Sequence, residues 1–224
     1  MSRARRLDKA GAGSILGSAM NADRAPGLQR FLDATREAIA AQGPTLGPAA
    51  RVADRIFEAL GRAAIEAADA TASRLPACAH LPKALAAARE GPPAVARVAD
   101  AFAAIEPALP WKRRPNAEAA GRRFADSHAN AVVVGPGGLE PRDDVLVGVS
   151  LMAPRLQYPD HHHPPEEIYL VLSKGQWRQG EGAWHEPGPG RVVFNPSNVV
   201  HAMRSAHDPL LAIWCLWTRE TPFA

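Results

Sequence analysis

Residues 159–175 read Pro159-Asp160-His161-His162-His163-Pro164-Pro165-Glu166-Glu167-Ile168-Tyr169-Leu170-Val171-Leu172-Ser173-Lys174-Gly175. The second half of this stretch has the character of a strand, in which alternate residues share a face. Ile168, Leu170 and Leu172 fall on one side and are all apolar. Glu167, Tyr169 and Val171 fall on the other, which puts a carboxylate and a phenol into a packed interior, a costly arrangement unless both find partners. His161 and His163 share a parity across the Pro164-Pro165 kink. Two imidazoles two residues apart, with a carboxylate four further on, form a three-ligand set for a divalent transition metal: imidazole suits Fe, Ni, Zn and Cu, and the carboxylate favours Mn and Fe. His201, in the segment Asn195–Met203, offers a fourth ligand. By the same parity His162 points away, and Glu166 reads as a solvated or outlying group. His185 and His207 fall in turns, and His80 and His128 lie outside the expected strands; all four read as structural.

Outward from this stretch the two halves of the chain carry different periods. After about Ala129 the period is two, in short runs rich in Val, Ile, Leu and Trp: 131–134, 145–152, 168–172, 176–179, 191–194, 199–203 and 210–217. Gly/Pro loops such as Gly135-Pro136-Gly137-Gly138 and Pro187-Gly188-Pro189-Gly190 separate them. Seven short strands with turn chemistry between them predict an antiparallel sandwich or barrel. From Pro26 to about Pro110 the sequence is Ala-rich, with apolar residues such as Leu28, Phe31, Leu32 and Ile39, or Val52, Ile56 and Leu60, at spacings of three and four. Helices are expected near 26–41, 48–73, 82–90 and 93–106, punctuated by Gly and Pro. The fold class is therefore α+β: residues 1–25 a poorly ordered leader, 26–128 a helical region, and 129–224 a β-barrel on which the helices pack.

Composition narrows the function classes. The chain has 224 residues, 46% of them apolar and 22% charged, which is ordinary globular usage and long enough for a core without disulfide staples. Its two cysteines, Cys78 and Cys215, cannot build a disulfide framework, so a reducing cytoplasm is the expected compartment. No apolar run approaches the roughly 20 residues that span a bilayer. The net charge of +3 is too dilute for a nucleic-acid footprint; the tight basic clusters are Arg3/Arg5/Arg6, Lys112–Arg114 and Arg122–Arg123.

The segment from Arg155 onward resembles the cupin superfamily, whose two motifs are G(x)5HxH(x)3–4E(x)6G and G(x)5PxG(x)2H(x)3N. The first is matched by His161, His163 and Glu167, with Arg155 in place of the leading Gly and Gly175 one position late. The second is matched by Gly190, Pro196 and His201, with Asn198 in place of the middle Gly and Ser205 in place of the final Asn. A narrower pattern, Tyr158, His161, His163, Glu167, Tyr169 and then His201 thirty-eight residues after His163, is similar to that of the cupin-type dimethylsulfoniopropionate (DMSP) lyases, including longer members with a helical N-terminal region. The resemblance implies a cupin barrel, one divalent transition metal (Fe, Mn, Zn or Ni) on His161, His163, Glu167 and His201, and cleavage of DMSP to acrylate and dimethyl sulfide by β-elimination. Tyr169 is then the expected base and Tyr158 the second candidate or a substrate-positioning group. The sulfonium end of the substrate suits aromatic faces, and Trp177, Trp184, Trp214 and Trp217 all fall in the barrel half; Trp214 and Trp217 have opposite parity, so at most one of them faces a pocket.

Two other classes compete. A different metal-dependent cupin enzyme, such as a non-haem iron dioxygenase or an isomerase, could use the same four ligands, because fold alone does not fix chemistry. A ligand-sensing cupin fused to DNA-binding helices would want basic residues focused on one recognition helix, and the helices here are Ala-rich and mixed in charge. The helical region is expected to cap the barrel and to offer a homodimer surface; neither nucleic acid nor membrane is expected as a partner.

Overall fold

The computed structural model describes residues 24–61 and 70–220. The expected leader therefore lies outside the described residues up to position 23. Four longer helices come first: α1 (Pro26–Ala40), α2 (Ala49–Leu60), α3 (Leu81–Arg89) and α4 (Pro93–Ile105). Three of them carry Pro in the first turn, where its missing N–H costs nothing. Each buries one stripe: Leu28, Phe31, Leu32, Thr35, Ala38 and Ile39 on α1, and Val52, Ala53, Ile56, Phe57, Ala59 and Leu60 among those on α2. Then come β1 (Trp111–Lys112), α5 (Arg122–Ser127), β2 (His128–Val134), β3 (Val145–Met152), β4 (Glu167–Val171), β5 (Gln176–Gln179), β6 (Val192–Asn195), β7 (His201–Arg204) and β8 (Leu210–Trp217).

One helix expectation is corrected. The helix expected over 48–73 stops at Leu60, where the Gly61 N–H closes on Phe57 and Glu58 carbonyls; its expected middle, 62–69, lies outside the described residues. Residues 70–75 are not helical. Ser73 exchanges backbone hydrogen bonds with Leu109 and Trp111, and Leu75 is extended (φ −117°, ψ 163°) ahead of Pro76, as a residue before proline prefers. Apolar spacing and alanine content extend the expected helix past its true end at Leu60. The sheet also reaches further back than the period-two pattern suggested, to β1 and to the start of β2 at His128.

The strands make a six-stranded antiparallel sheet in the order β1-β2-β3-β8-β4-β6 and a two-stranded sheet of β5 and β7. Strand parity separates two cores. Ala129, Ala131 and Val133 of β2, Val147 and Val149 of β3, Ile168 and Leu170 of β4, and Leu211, Ile213 and Cys215 of β8 pack with the helices. Met152, Tyr169, Val171, Leu210, Ala212 and Trp214 turn to the other side, where they meet Tyr158, Trp177, Val193 and Met203 inside the barrel. The helical layer thus covers one face of the large sheet, and the barrel interior lies behind the other. Phe102 of α4, fully buried between Phe31 (5.9 Å) and Trp111 (6.3 Å), anchors the helical core.

Gly148 shapes the interior. It stands opposite Trp214 in the β3–β8 register, and a Cβ there would lie 2.1 Å from the indole. The ring can lie across β3 only because that position has no side chain. Gly148→Ala is expected to lower stability by about 1–3 kcal/mol through overpacking and to shift Trp214 fluorescence, measured by urea unfolding and emission spectra. Wild-type stability and an unchanged spectrum would contradict this packing.

Candidate metal centre

The Pro159–Pro165 loop and β7 are joined by reciprocal backbone hydrogen bonds between His161 and His201 (3.1 and 2.9 Å). The turn after β6 is pinned to the same loop, the Asn198 N–H donating to the His163 carbonyl at 2.9 Å. Two strained-looking residues make the geometry: Arg155 (φ 58°) and Asn198 (φ 58°) take the left-handed conformation at the two motif positions where glycine was expected. The replacements therefore keep the turns.

Three imidazoles converge as a result. The ligating nitrogens of His161, His163 and His201 all lie within 4.8 Å of one another. Their Nδ1 atoms face the carbonyls of Pro159 (3.0 Å), Pro165 (2.9 Å) and Val199 (2.9 Å). A carbonyl only accepts, so each Nδ1 carries the proton and each Nε2 presents a lone pair. The His201 Nε2 is buried without a hydrogen-bond partner, 3.3 Å from Glu167 Oε2. His163 Nε2 stands 3.4 Å from the same oxygen. This donor set, nitrogens aimed at one point beside a carboxylate, fits a divalent transition metal.

Glu167 is buried and held from behind. Asn195 Nδ2 donates to its Oε2 at 2.9 Å, and Gln179 Nε2 donates to Asn195 Oδ1 at 2.8 Å. Burial opposes its charge, but the His163 and His201 imidazoles beside it outweigh burial and keep the carboxyl well below its usual range. Neither Asn195 nor Gln179 was expected from the sequence. His162 is exposed, and Glu166 pairs with Arg51 of α2 at 2.6 Å.

The aromatic wall is largely tyrosine and histidine. The Tyr158 ring lies 4.5 Å from that of His161 and receives Phe124 (5.4 Å) and His128 (4.9 Å), all centroid distances. The Arg114 guanidinium sits over its face at 4.9 Å. Tyr169 neighbours Trp214 across β4 and β8 and lies 6.2 Å from Trp177. Burial pushes the Tyr158 phenol up to about 12 and, with the Glu167 charge, holds Tyr169 well above its usual value. Of the expected aromatic candidates, Trp177 and Trp214 face the interior, whereas Trp217 packs with the helical core. Trp184 lies under the guanidinium groups of Arg178 and Arg204.

His128 is the main correction. The period-two pattern leaves it outside the strands, yet it opens β2, is buried, stacks on Phe124 at 5.1 Å and has no hydrogen-bond partner on either ring nitrogen. A sequence signal existed: His128 and Asn130 share one parity, and Ala129, Ala131 and Val133 the other.

An antiparallel double-sheet barrel with three interior imidazoles and a buried carboxylate, fronted by helices, is a cupin. The DMSP lyase family model matches residues 48–212, and the chain belongs to that family. DMSP lyase DddQ of Ruegeria pomeroyi is 36% identical over 127 residues, 55% of this chain and 62% of that protein. A putative DMSP lyase, DddL of Cereibacter sphaeroides, is 28% identical over 144 residues, 64% of this chain and 59% of that protein. The chain thus spans about three-fifths of the length of these two curated relatives. The crystal structure of DddQ from Ruegeria pomeroyi superposes with a TM-score of 0.64 at 28% identity, covering 87% of this chain and 92% of that one. A chain from the crystal structures of the DMSP lyases RdDddP and RnDddQII gives 0.62 at 25% identity, with coverage of 85% and 92%. No helix among the described residues is long and apolar enough to cross a membrane.

Burial lowers the His128 pKa to about 3 and, with the neighbouring His201 charge, that of His161 to about 4. The unfolded chain therefore binds more protons below about 6.5, so stability is retained above that pH and lost as pH falls towards these values. Each such group contributes a slope of about 1.4 kcal/mol per pH unit. His128→Phe should remove about 2 kcal/mol of the loss between pH 7 and pH 5 in urea unfolding of metal-free protein. An identical pH slope in the variant would show that His128 ionises freely in the fold.

Proposed function

We propose that this protein is a metal-dependent DMSP lyase, with His161, His163, Glu167 and His201 holding one divalent transition metal and Tyr169 acting as the base. The observation that carries the reading is the convergence of three Nε2 lone pairs beside a buried carboxylate and two buried phenols, in a chain of the DMSP lyase family. The bound metal would supply Lewis-acid polarisation of a substrate carboxylate and stabilise a neighbouring phenolate.

The remaining work falls to the side chains. Tyr169 Oη, as phenolate, takes the proton from the carbon next to the carboxylate. The electrons of that C–H bond form the C=C bond of acrylate, and the C–S bond breaks at the next carbon. Dimethyl sulfide departs neutral with the sulfur electron pair, so no strong general acid is needed. Trp214, Trp177 and the tyrosine rings offer faces to the sulfonium, at roughly 0.5–2 kcal/mol each. Tyr158, kept protonated by burial, serves as a hydrogen-bond donor to the carboxylate end rather than as the base. The packed interior excludes water from the proton transfer. The Gln179–Asn195–Glu167 relay holds the carboxylate in orientation.

Protein loaded with Fe(II), Mn(II), Zn(II) or Ni(II) should release dimethyl sulfide from DMSP, detected by headspace gas chromatography. Tyr169→Phe should lower the rate 100-fold or more with metal content unchanged, and His163→Ala should lower both metal content and rate. Because burial and the Glu167 charge favour the protonated phenol, the rate should rise with pH until the phenolate is formed. Release that survives Tyr169→Phe would move the base to Tyr158. No release with any of the four metals would remove the lyase reading and leave the cupin.

A further inference from the structure

Resting on the DMSP lyase reading, we propose that Arg114 binds the carboxylate end of the substrate, together with the Tyr158 hydroxyl. The tight basic cluster at Lys112–Arg114 carries a residue whose place in the fold the mechanism above leaves unexplained. Arg114 follows β1, in the segment that leads to α5, and its guanidinium reaches the Tyr158 ring. Its neighbours are committed elsewhere: Arg113 donates to the Ala125 carbonyl and pairs with Asp126 (both within 2.9 Å), which fastens this segment across the opening. Ala117, Phe124 and Ala125 from the same segment pack with Tyr158, Leu156 and Met152 in the interior core.

Arg114 itself has no carboxylate partner; its side-chain contact is with Tyr158. Its Nε reaches the Pro115 carbonyl at 3.3 Å, its guanidinium lies over the Tyr158 ring, and its Nη1 is buried with no hydrogen-bond acceptor. Among the described residues no carboxylate lies within ion-pairing distance of it. A guanidinium presents five donors in a planar fork that matches a carboxylate, and a ring face satisfies its charge but not its N–H groups. On the same wall His128 leaves both ring nitrogens unsatisfied. A buried histidine and a half-buried arginine with a buried Nη1, set around one tyrosine 4.5 Å from His161, leave room for an acceptor. A substrate carboxylate is such an acceptor. It would place the cationic end of a short zwitterion away from Arg114, towards Tyr169, Trp177 and Trp214, so one cation repels the wrong orientation.

The test compares wild type with Arg114→Met and Arg114→Lys at equal metal content. KM for DMSP should rise at least 30-fold in Arg114→Met and about tenfold in Arg114→Lys, since an ammonium keeps the charge but loses the fork; kcat should change less. Propionate and propionamide are the binding probes, read by tryptophan fluorescence. Wild type should prefer propionate, and Arg114→Met should bind the two alike. A purely structural Arg114 would weaken both probes equally and would overturn the proposal, as would propionate affinity in Arg114→Met within twofold of wild type. If wild type releases no dimethyl sulfide, the lyase reading falls, while the propionate comparison still decides whether Arg114 is a carboxylate site. Should Arg114→Met fail to fold, Arg114→Lys decides by the same propionate preference: retention at wild-type strength overturns the proposal.

Discussion

The site depends on a backbone contact rather than on any ligand side chain. His161 and His201 lie forty residues apart in sequence, yet exchange two main-chain hydrogen bonds. That pairing brings the Pro159–Pro165 loop alongside β7, and everything in the cluster follows from it. Each ring is then fixed by its own Nδ1–H bond to a carbonyl two residues away. The tautomer is set locally, by the chain that carries the histidine, so all three Nε2 atoms face inward before any ligand arrives. Such preorganisation matters because an imidazole free to rotate would lose part of its affinity to ordering.

The helical layer supports this arrangement without entering it. Ile168 and Leu170 drive β4 against the helices, and the same alternation turns Glu167 and Tyr169 the other way. A one-residue slip of β4 would exchange the two sets and bury the carboxylate among aliphatic side chains. Helical contacts also reach the ligand segments directly. Arg51 of α2 holds Glu166, the neighbour of Glu167, and the Gln42 side chain accepts from the Val192 N–H of β6. Glu140, buried with Arg24 and Arg142, ties the start of the described chain to the loop between β2 and β3.

The residues nearest the chemistry were the most legible in the sequence, because polar groups at interior parity violate the pattern around them. Glu167 and Tyr169 stand out in a run of Ile, Leu and Val, and β3, β5 and β8 have the limits their alternation suggested. Legibility failed where local preference competes with contacts distant in the chain. Nothing local says that Ser73 pairs with Leu109 and Trp111, so the alanines before it read as helix. His128 opens a strand whose polar alternation continues through Asn130 but lapses at Val132, so the signal was short. Arg114 and Asn195 looked like ordinary surface and turn residues because tertiary folding, not local sequence, sets Tyr158 beside the one and Glu167 beside the other. Arg155 and Asn198 show the opposite case: the side chain changed and the backbone conformation did not.

Electrostatics joins these parts into one pocket. Burial keeps His128 and His161 neutral and both phenols protonated at neutral pH. The Glu167 carboxylate stays ionised only because imidazoles surround it. The Glu167 carboxylate and the Arg114 guanidinium over the Tyr158 ring thus set opposite charges beside an aromatic interior. The same surroundings set what either phenol would need in order to ionise. A buried phenol holds its proton near neutral pH, and a cation bound beside it is the kind of charge that would stabilise its phenolate.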